Sequence, residues 1–398
     1  MGHSSSSNAP PPQGGYQNVY ALQIANMLRP VKPFLESPKI SEVMINGKDE
    51  VWVEMGGKIK KTDVKFEGED ELLAAVRAIG QFVGKTFDEK HPRLDARLPD
   101  GSRVCATMPP VTKQGVCLAI RRFFTEKLTV DQLMSFGSIS KDAVEFMRVC
   151  IEMKKNMLIS GGTGSGKTSL LNVITGLIPK EERLLILEDV KELQPQGAHI
   201  VQMECVPGSK DGEGKVEMKD LLHSTLRMRP DRIIIGEIRG GEALDLINAI
   251  NTGHGGAMAT IHASSPTQAL QKLETLTLYS GFDLPLMAVR AMVAMAIEVV
   301  IQGSRFKDGS RKVTNIGEVL ALNPDGSYAT RDIFRFEYDG VDANGKVMGA
   351  VRWTGHLPTF YDEIEPHGVQ FDKSIFAPEK APKKKAGDVP KSVSGGGH

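Results

Sequence analysis

The chain has 398 residues, enough for two or three domains of ordinary size. Lys and Arg together number 49 and Asp and Glu together number 49, so the formal charge is zero, which excludes a globally basic nucleic-acid binder though not a local patch. Hydrophobic residues at 40% and charged residues at 25% are those of an ordinary soluble globular protein, not of a low-complexity or membrane-spanning chain.

In chain order, residues 1–15 are rich in Ser, Pro and Gly and are expected to form a disordered tail. Tyr20, Ile24, Met27 and Leu28 recur at helical spacing and predict a helix over 18–29, broken by Pro30 and Pro33. Alternating Val51, Val53 and Met55 between turns at Asn46-Gly47 and Gly56-Gly57 predict a hairpin or meander. A helix follows over 69–83, then strands over 94–121 around a turn at Asp100-Gly101. Helices are expected over 129–136 and 140–153, and residues 16–135 are read as one α+β domain.

From about residue 155 the pattern changes. Short apolar runs at Met157, Leu184, Ile200, Ile233 and Ala257 alternate with amphipathic stretches. That alternation predicts an α/β domain over 136–375, with a mostly parallel sheet covered on both faces and a C-terminal extension. The Gly- and charge-rich loop 204–217 is expected to be mobile. Residues 376–398 are read as a disordered basic tail, either solvated or in weak contact with anionic lipid. The apolar stretch 291–297 is too short to span a bilayer, and the N-terminus carries no secretory pattern. Cys105, Cys117, Cys150 and Cys205 form no C-x-x-C pair, which argues against a zinc ribbon or disulfide framework and fits a reducing cytosol.

The strongest chemical signal is Gly161-Gly162-Thr163-Gly164-Ser165-Gly166-Lys167-Thr168-Ser169, which follows a strand and opens a helix. It satisfies G-x-x-x-x-G-K-[ST], a loop whose backbone N–H groups cradle phosphate oxygens. Lys167 can reach the β- and γ-phosphates of a nucleotide, and the Thr168 hydroxyl can ligate Mg²⁺. The absence of an N-K-x-D motif downstream weakens a GTPase reading.

Three acidic or basic stretches follow. Pro230 to Arg239 holds an apolar strand ending at Gly236-Glu237, and Glu237 is the candidate that orients water at the γ-phosphate. Leu184 to Glu192 is a second apolar strand ending in acids. Glu188 or Asp189 can hold Mg²⁺ through water, Glu192 lies one turn on, and one of the three can be only a capping acid. His262, at another strand end, can sense the γ-phosphate, and His254 is the weaker candidate.

These boxes together resemble those of the type II/type IV secretion ATPases: the phosphate loop, LILEDVKEL, LRMRPDRIIIGEIRGGEALD and TGHGGAMATIHASSPTQAL. LDARLPDGSRV (94–104), IRRF (120–123), KLETLTLYSGFDLP and SRFKDGSRKVTNIGEV are similar to the CpaF-type branch, the ATPases of Tad/Flp pilus biogenesis. The four-cysteine zinc insert of many relatives is missing, which favours that branch or the conjugative one. The acidic box departs modestly, with Val190-Lys191 where small residues are usual.

The resemblance implies a RecA-like P-loop ATPase domain preceded by a smaller N-terminal domain, with ATP and Mg²⁺ as ligands. It also implies a cytoplasmic homo-hexamer at the inner membrane, acting on pilus platform proteins without direct nucleic-acid contact. In that family, arginines of the N-terminal domain complete the phosphate site, often across protomers. The matching residues are Arg97 and Arg103 of the LPDGSR hairpin and Arg121 and Arg122 of IRRF, with Arg103 and Arg121 foremost. Arg227, Arg229 and Arg239 flank Glu237 and can equally serve interfaces. The alternatives are a conjugative or type IV secretion ATPase, a RecA-like nucleic-acid motor, or a non-hydrolysing nucleotide-dependent scaffold.

Overall fold

The computed structural model describes residues 22–123, 128–197, 199–208 and 213–377. Both expected tails lie mostly outside these residues. The chain forms two compact units that divide between Lys127 and Leu128.

The first unit opens with helix α1 (22–27), a 3₁₀ turn at Arg29–Val31 and helix α2 (Lys32–Glu36). Pro30 and Pro33, read from sequence as breakers, each sit in the first turn of one of these short segments. Proline is suited there because its missing N–H has no intrahelical partner at that position. Six strands follow: β1 (Ile40–Asn46), β2 (Val51–Met55), β3 (Lys58–Lys61), β4 (Arg93–Arg97), β5 (Arg103–Thr107) and β6 (Cys117–Arg121). Their order in the sheet is β3-β2-β1-β6-β5-β4, and every pair is antiparallel.

Helix α3 (Glu69–Phe82) lies between β3 and β4 in the chain. It begins with Glu69, Asp70 and Glu71, acids that suit the positive end of the helix dipole. Its Leu72, Val76 and Ile79 share one core with Val43, Ile45, Val104, Leu118 and Ile120. Alternate residues on each strand therefore face α3, and the intervening ones form the opposite face of the sheet.

The second unit contains helix α4 (Val130–Ser135), helix α5 (Lys141–Glu152) and a nine-stranded sheet. Whereas the sequence reading ended the first domain at residue 135, α4 belongs here, and Leu133 and Met134 pack on the core of this unit. The central strands are β7 (Met157–Gly161), β8 (Leu184–Glu188), β9 (Ile200–Glu204), β10 (Arg232–Ile235), β11 (Met258–His262) and β12 (Val299–Arg305). They pair in parallel in the order β12-β7-β11-β10-β8-β9.

Nearly every residue of β7, β8, β10 and β11 is buried, as strands covered on both faces must be. Helices α5 and α6 (Lys167–Thr175) share one core with one face of these strands. Helices α7 (Met218–Thr225), α8 (Glu242–Asn251), α9 (Pro266–Leu278) and α10 (Leu286–Ala296) share a second core with the other. Among the described residues no helix is long and apolar enough to cross a membrane.

The C-terminal extension continues the same sheet. Strands β13 (Arg311–Leu320), β14 (Ala329–Val341) and β15 (Val347–Trp353) add antiparallel beyond β12. The chain then returns across α5, where Phe376 meets Phe146, Trp353 and Tyr361 at ring-centroid distances of 6.0, 5.8 and 5.6 Å. In the loop 204–217, Val206 and Val216 pair through two backbone hydrogen bonds of 2.9 Å.

Because Phe376 is almost fully buried among other rings, Phe376→Ala is expected to destabilise the second unit by about 3–5 kcal/mol. Denaturant unfolding followed by Trp353 fluorescence measures this. A loss below about 1 kcal/mol would show that the C-terminal return is not part of the core.

Candidate phosphate-binding site

The carboxyl ends of β7, β8, β10 and β11 lie along one edge of the parallel sheet, where open α/β sheets place their ligands. Gly161 ends β7 and is flanked in register by His262 of β11 and Gly303 of β12. The backbone packs so tightly there that a Cβ on Gly161 would lie 2.3 Å from Ser165 Oγ and 2.6 Å from the Gly303 carbonyl. Gly164 and Gly166 have φ of 69° and 90°, left-handed values that side chains resist. Gly166 then caps α6.

The result is a tight loop at a helix N-terminus, with its amides and the helix dipole available to an anion. The Gly162 carbonyl accepts from Lys167 Nζ at 3.1 Å and from the Ser165 N–H at 3.3 Å. The Ser165 hydroxyl is buried without a hydrogen-bond partner, an orphaned polar atom inside the loop. Cradle, cation and orphaned hydroxyl fit a nucleotide phosphate. Thr168, in the first turn of α6, is placed as the sequence pattern requires for a metal ligand. Among the described residues no group of three or more His, Cys, Asp or Glu forms a ready-made metal site. A magnesium ion would therefore depend on phosphate oxygens for part of its shell.

The acids are not equivalent. Glu188, 3% exposed, ends β8 and accepts the backbone N–H groups of Glu192 and Leu193, both at 2.8 Å. Burial pushes its carboxyl above the usual carboxylate range, and the two N–H groups pull partly against that. It lies beside the turn after β10, where a Cβ on Gly236 would sit 3.0 Å from Glu188 Cγ. Asp189 is half-exposed and pairs with Arg239 Nη1 at 3.1 Å. Arg239 Nε also donates to Glu237 at 2.8 Å. Arg239 thus bridges the acid after β10 and the acid after β8, a role that sequence alone did not separate from an interface role. Glu192 contributes its N–H to Glu188, as described.

His262 is exposed at the end of β11, beside the start of the loop. His254 instead contacts the Ala249 carbonyl at 3.1 Å, just past the end of α8. Arg227 donates to the His223 carbonyl within its own helical turn, and Arg229 adopts φ 52° in the bend before β10. Cys205 contacts Asp189 at 3.6 Å, and burial together with that carboxylate pushes its thiol up to about 12. Both effects favour the thiol over the thiolate.

The expected N-terminal arginines lie in the first unit. Arg97, Arg103 and Arg121 stand side by side in register on β4, β5 and β6, and Glu42 of β1 follows Arg121 in the same row. Burial raises the Glu42 carboxyl, with Arg121 opposing the shift. Arg122, one residue on, donates to the carbonyls of Ser37 and Ile40 and ties β6 to the start of β1.

Sequence reasoning missed two site residues, Arg305 and Arg311. Arg311 Nε donates to the Gly164 carbonyl at 2.8 Å, and Arg305 Nη1 lies 3.0 Å from where a Cβ on Gly164 would be. Both belong to SRFKDGSRKVTNIGEV, which the sequence offered only as a point of family resemblance, with no role for its arginines.

The family described as type II/IV secretion system protein matches residues 25–306. A putative conjugal transfer protein of Mycobacterium tuberculosis is 31% identical over 72% of this chain and 82% of its own length. The type IV secretion system protein VirB11 of Bartonella quintana is 31% identical over 75% of this chain and 96% of its own. Among solved structures, the ATPase DotB of Yersinia pseudotuberculosis shares the fold, with a TM-score of 0.53 at 18% identity, covering 81% of this chain and 82% of that one.

Since Gly161 has no room for a side chain, Gly161→Ala is expected to weaken ATP binding by at least about tenfold, about 1.4 kcal/mol. Isothermal titration with Mg-ATP reads this directly. Wild-type affinity in the variant would mean that Ser165 and β12 can retreat without disturbing the loop.

Proposed function

The chain belongs to the type II/IV secretion system protein family, and from that premise we propose that it is an ATP-hydrolysing motor of CpaF type. It acts as a hexameric ring at the cytoplasmic face of the bacterial inner membrane and drives pilin through a platform protein. The observation that carries this reading is the loop between β7 and α6, with Glu237 after β10 and Glu188 at the end of β8 in one sheet.

Bound Mg-ATP supplies a transferable γ-phosphoryl group and the metal charge that steadies it. The chain's own residues do the rest. Lys167 exchanges the Gly162 carbonyl for phosphate oxygens. Thr168, with Glu188 or Asp189, would hold the ion. Glu237, once Arg239 lets go of it, orients water and takes up its proton, and His262 stands next to the loop as a γ-phosphate sensor. Arg97, Arg103 and Arg121 neutralise charge on the transferring phosphate in the assembled ring, as guanidinium groups do bidentately. A change of contacts between loaded and spent nucleotide then drives the motion.

A second reading, a conjugative or type IV secretion motor, is supported by the names of the relatives, a conjugal transfer protein and VirB11. The genes adjacent to this one separate the two: pilin and platform genes for the first, relaxase and coupling-protein genes for the second.

Purified wild type is expected to hydrolyse ATP and to form a hexamer with a non-hydrolysable analogue, seen by light scattering. Lys167→Ala should lose binding. Glu237→Gln should bind ATP normally and lose about 10²–10⁴-fold in turnover, the usual contribution of a positioned base. Unchanged turnover in Glu237→Gln would remove its assigned role, and a wild type that binds ATP without hydrolysing it would favour the scaffold reading.

A further inference from the structure

The hairpin of β12 and β13 reaches over the phosphate loop from the side opposite β11. Its facing residues Arg305 and Arg311 are a register pair, so both guanidinium groups sit on the same face of the hairpin. Arg311 Nε donates to the Gly164 carbonyl at 2.8 Å, and its Cδ lies 3.4 Å from where a Cβ on Gly166 would be. Arg305 Nη1 closes the other side, 3.0 Å from the corresponding position on Gly164.

The hairpin itself is held. The Arg311 carbonyl accepts from Ser138 Oγ at 2.7 Å, and Lys312 Nζ donates to the Gly137 carbonyl at 3.0 Å. At the turn, Asp308 accepts from the Val347 N–H at 2.7 Å and from Ser310, and Phe306 lies against Phe336 at 5.5 Å.

A peptide is planar, so its C=O and the next N–H point to opposite sides. Holding the Gly164 carbonyl on the hairpin side fixes the Ser165 N–H on the opposite side, where it donates to the Gly162 carbonyl at 3.3 Å, the partner that phosphate would replace. Gly164, on one side of this peptide, has a left-handed φ of 69°, and the freedom of glycine there makes a flip of the peptide easier. We infer that Arg311, backed by Arg305, is a positioning residue that pins the Gly164–Ser165 peptide with its N–H facing the phosphate. It acts through the loop and not by touching the reacting atoms, and it rests on the nucleotide-binding reading above.

The test separates the pin from simple charge. Gln carries an N–H donor on the atom bonded to Cδ, the same place as Arg Nε, without the charge. Arg311→Gln is therefore expected to bind ATP and ADP with affinities close to wild type, read by calorimetry or by competition with a fluorescent mant-nucleotide. Arg311→Met, of similar length without a donor, should lose about fivefold to tenfold for both nucleotides, the size of one hydrogen bond. KM for ATP should rise by the same factor with kcat little changed, and the melting temperature without nucleotide should match wild type. Equal affinities in Gln and Met variants would overturn the pin. Should Arg311→Met not fold, Arg311→Lys replaces it: affinity ordered Gln above Lys supports the pin, and Lys at or above Gln overturns it. A wild type that binds no nucleotide would overturn the functional reading together with this one, whereas binding by wild type and all variants alike overturns the pin alone.

Discussion

Close approach of backbone to backbone at Gly161 is the constraint on which the chemistry of the second unit depends. Parallel pairing lays His262 and Gly303 level with Gly161, and the chain turns back through Ser165 with no space left for a side chain. The apolar strands hold that approach in place. A register shift of β7 by one residue would move Leu158 from the α7–α10 core to the α5–α6 core and expose both to mispacking. The level strand ends then place Glu188, the turn carrying Glu237, and His262 along the same edge.

Much of this was legible in the sequence, for identifiable reasons. Strands β7, β8, β10 and β11 are short apolar runs between polar helices, which is how doubly covered strands read. The phosphate loop announces itself because its glycines, lysine and threonine each answer a separate steric or electrostatic demand. What escaped notice was contact between distant segments. Arg311 reaches Gly164 from a hairpin 147 residues away in the chain, and no spacing rule links the two. The bridge of Arg239 between Glu237 and Asp189 depends in the same way on β10 and β8 being neighbours in the sheet. Pro30 and Pro33 were ambiguous for a local reason, since proline suits the first turn of a helix as well as the residue after its last.

In the first unit the alternation of Val51, Val53 and Met55 was readable as a strand, and these residues do pack in or against its core, but the grouping of charge was not readable. Arg97, Arg103 and Arg121 are far apart in sequence and become neighbours through the registers of β4, β5 and β6. Three like charges abreast are unfavourable for the unit by itself. Glu42, next to Arg121 in that row, and Glu54 of β2 beyond it carry the opposite charge in register. Arg122 shows how sharply position decides role: one residue past Arg121, it is spent on backbone carbonyls of its own unit.

The double acceptance by the Gly162 carbonyl has a consequence for residence time. An anion entering the loop gains Lys167 and the Ser165 N–H only as that carbonyl gives them up. Association is thus a trade of partners, and each contact contributes only the excess of a charge-assisted bond to phosphate over the bond to the carbonyl. On release the carbonyl takes both donors back, so the emptied loop is not left with unpaired groups. For a device that completes many rounds, a grip that loosens readily on the spent ligand matters as much as one that closes on the fresh one.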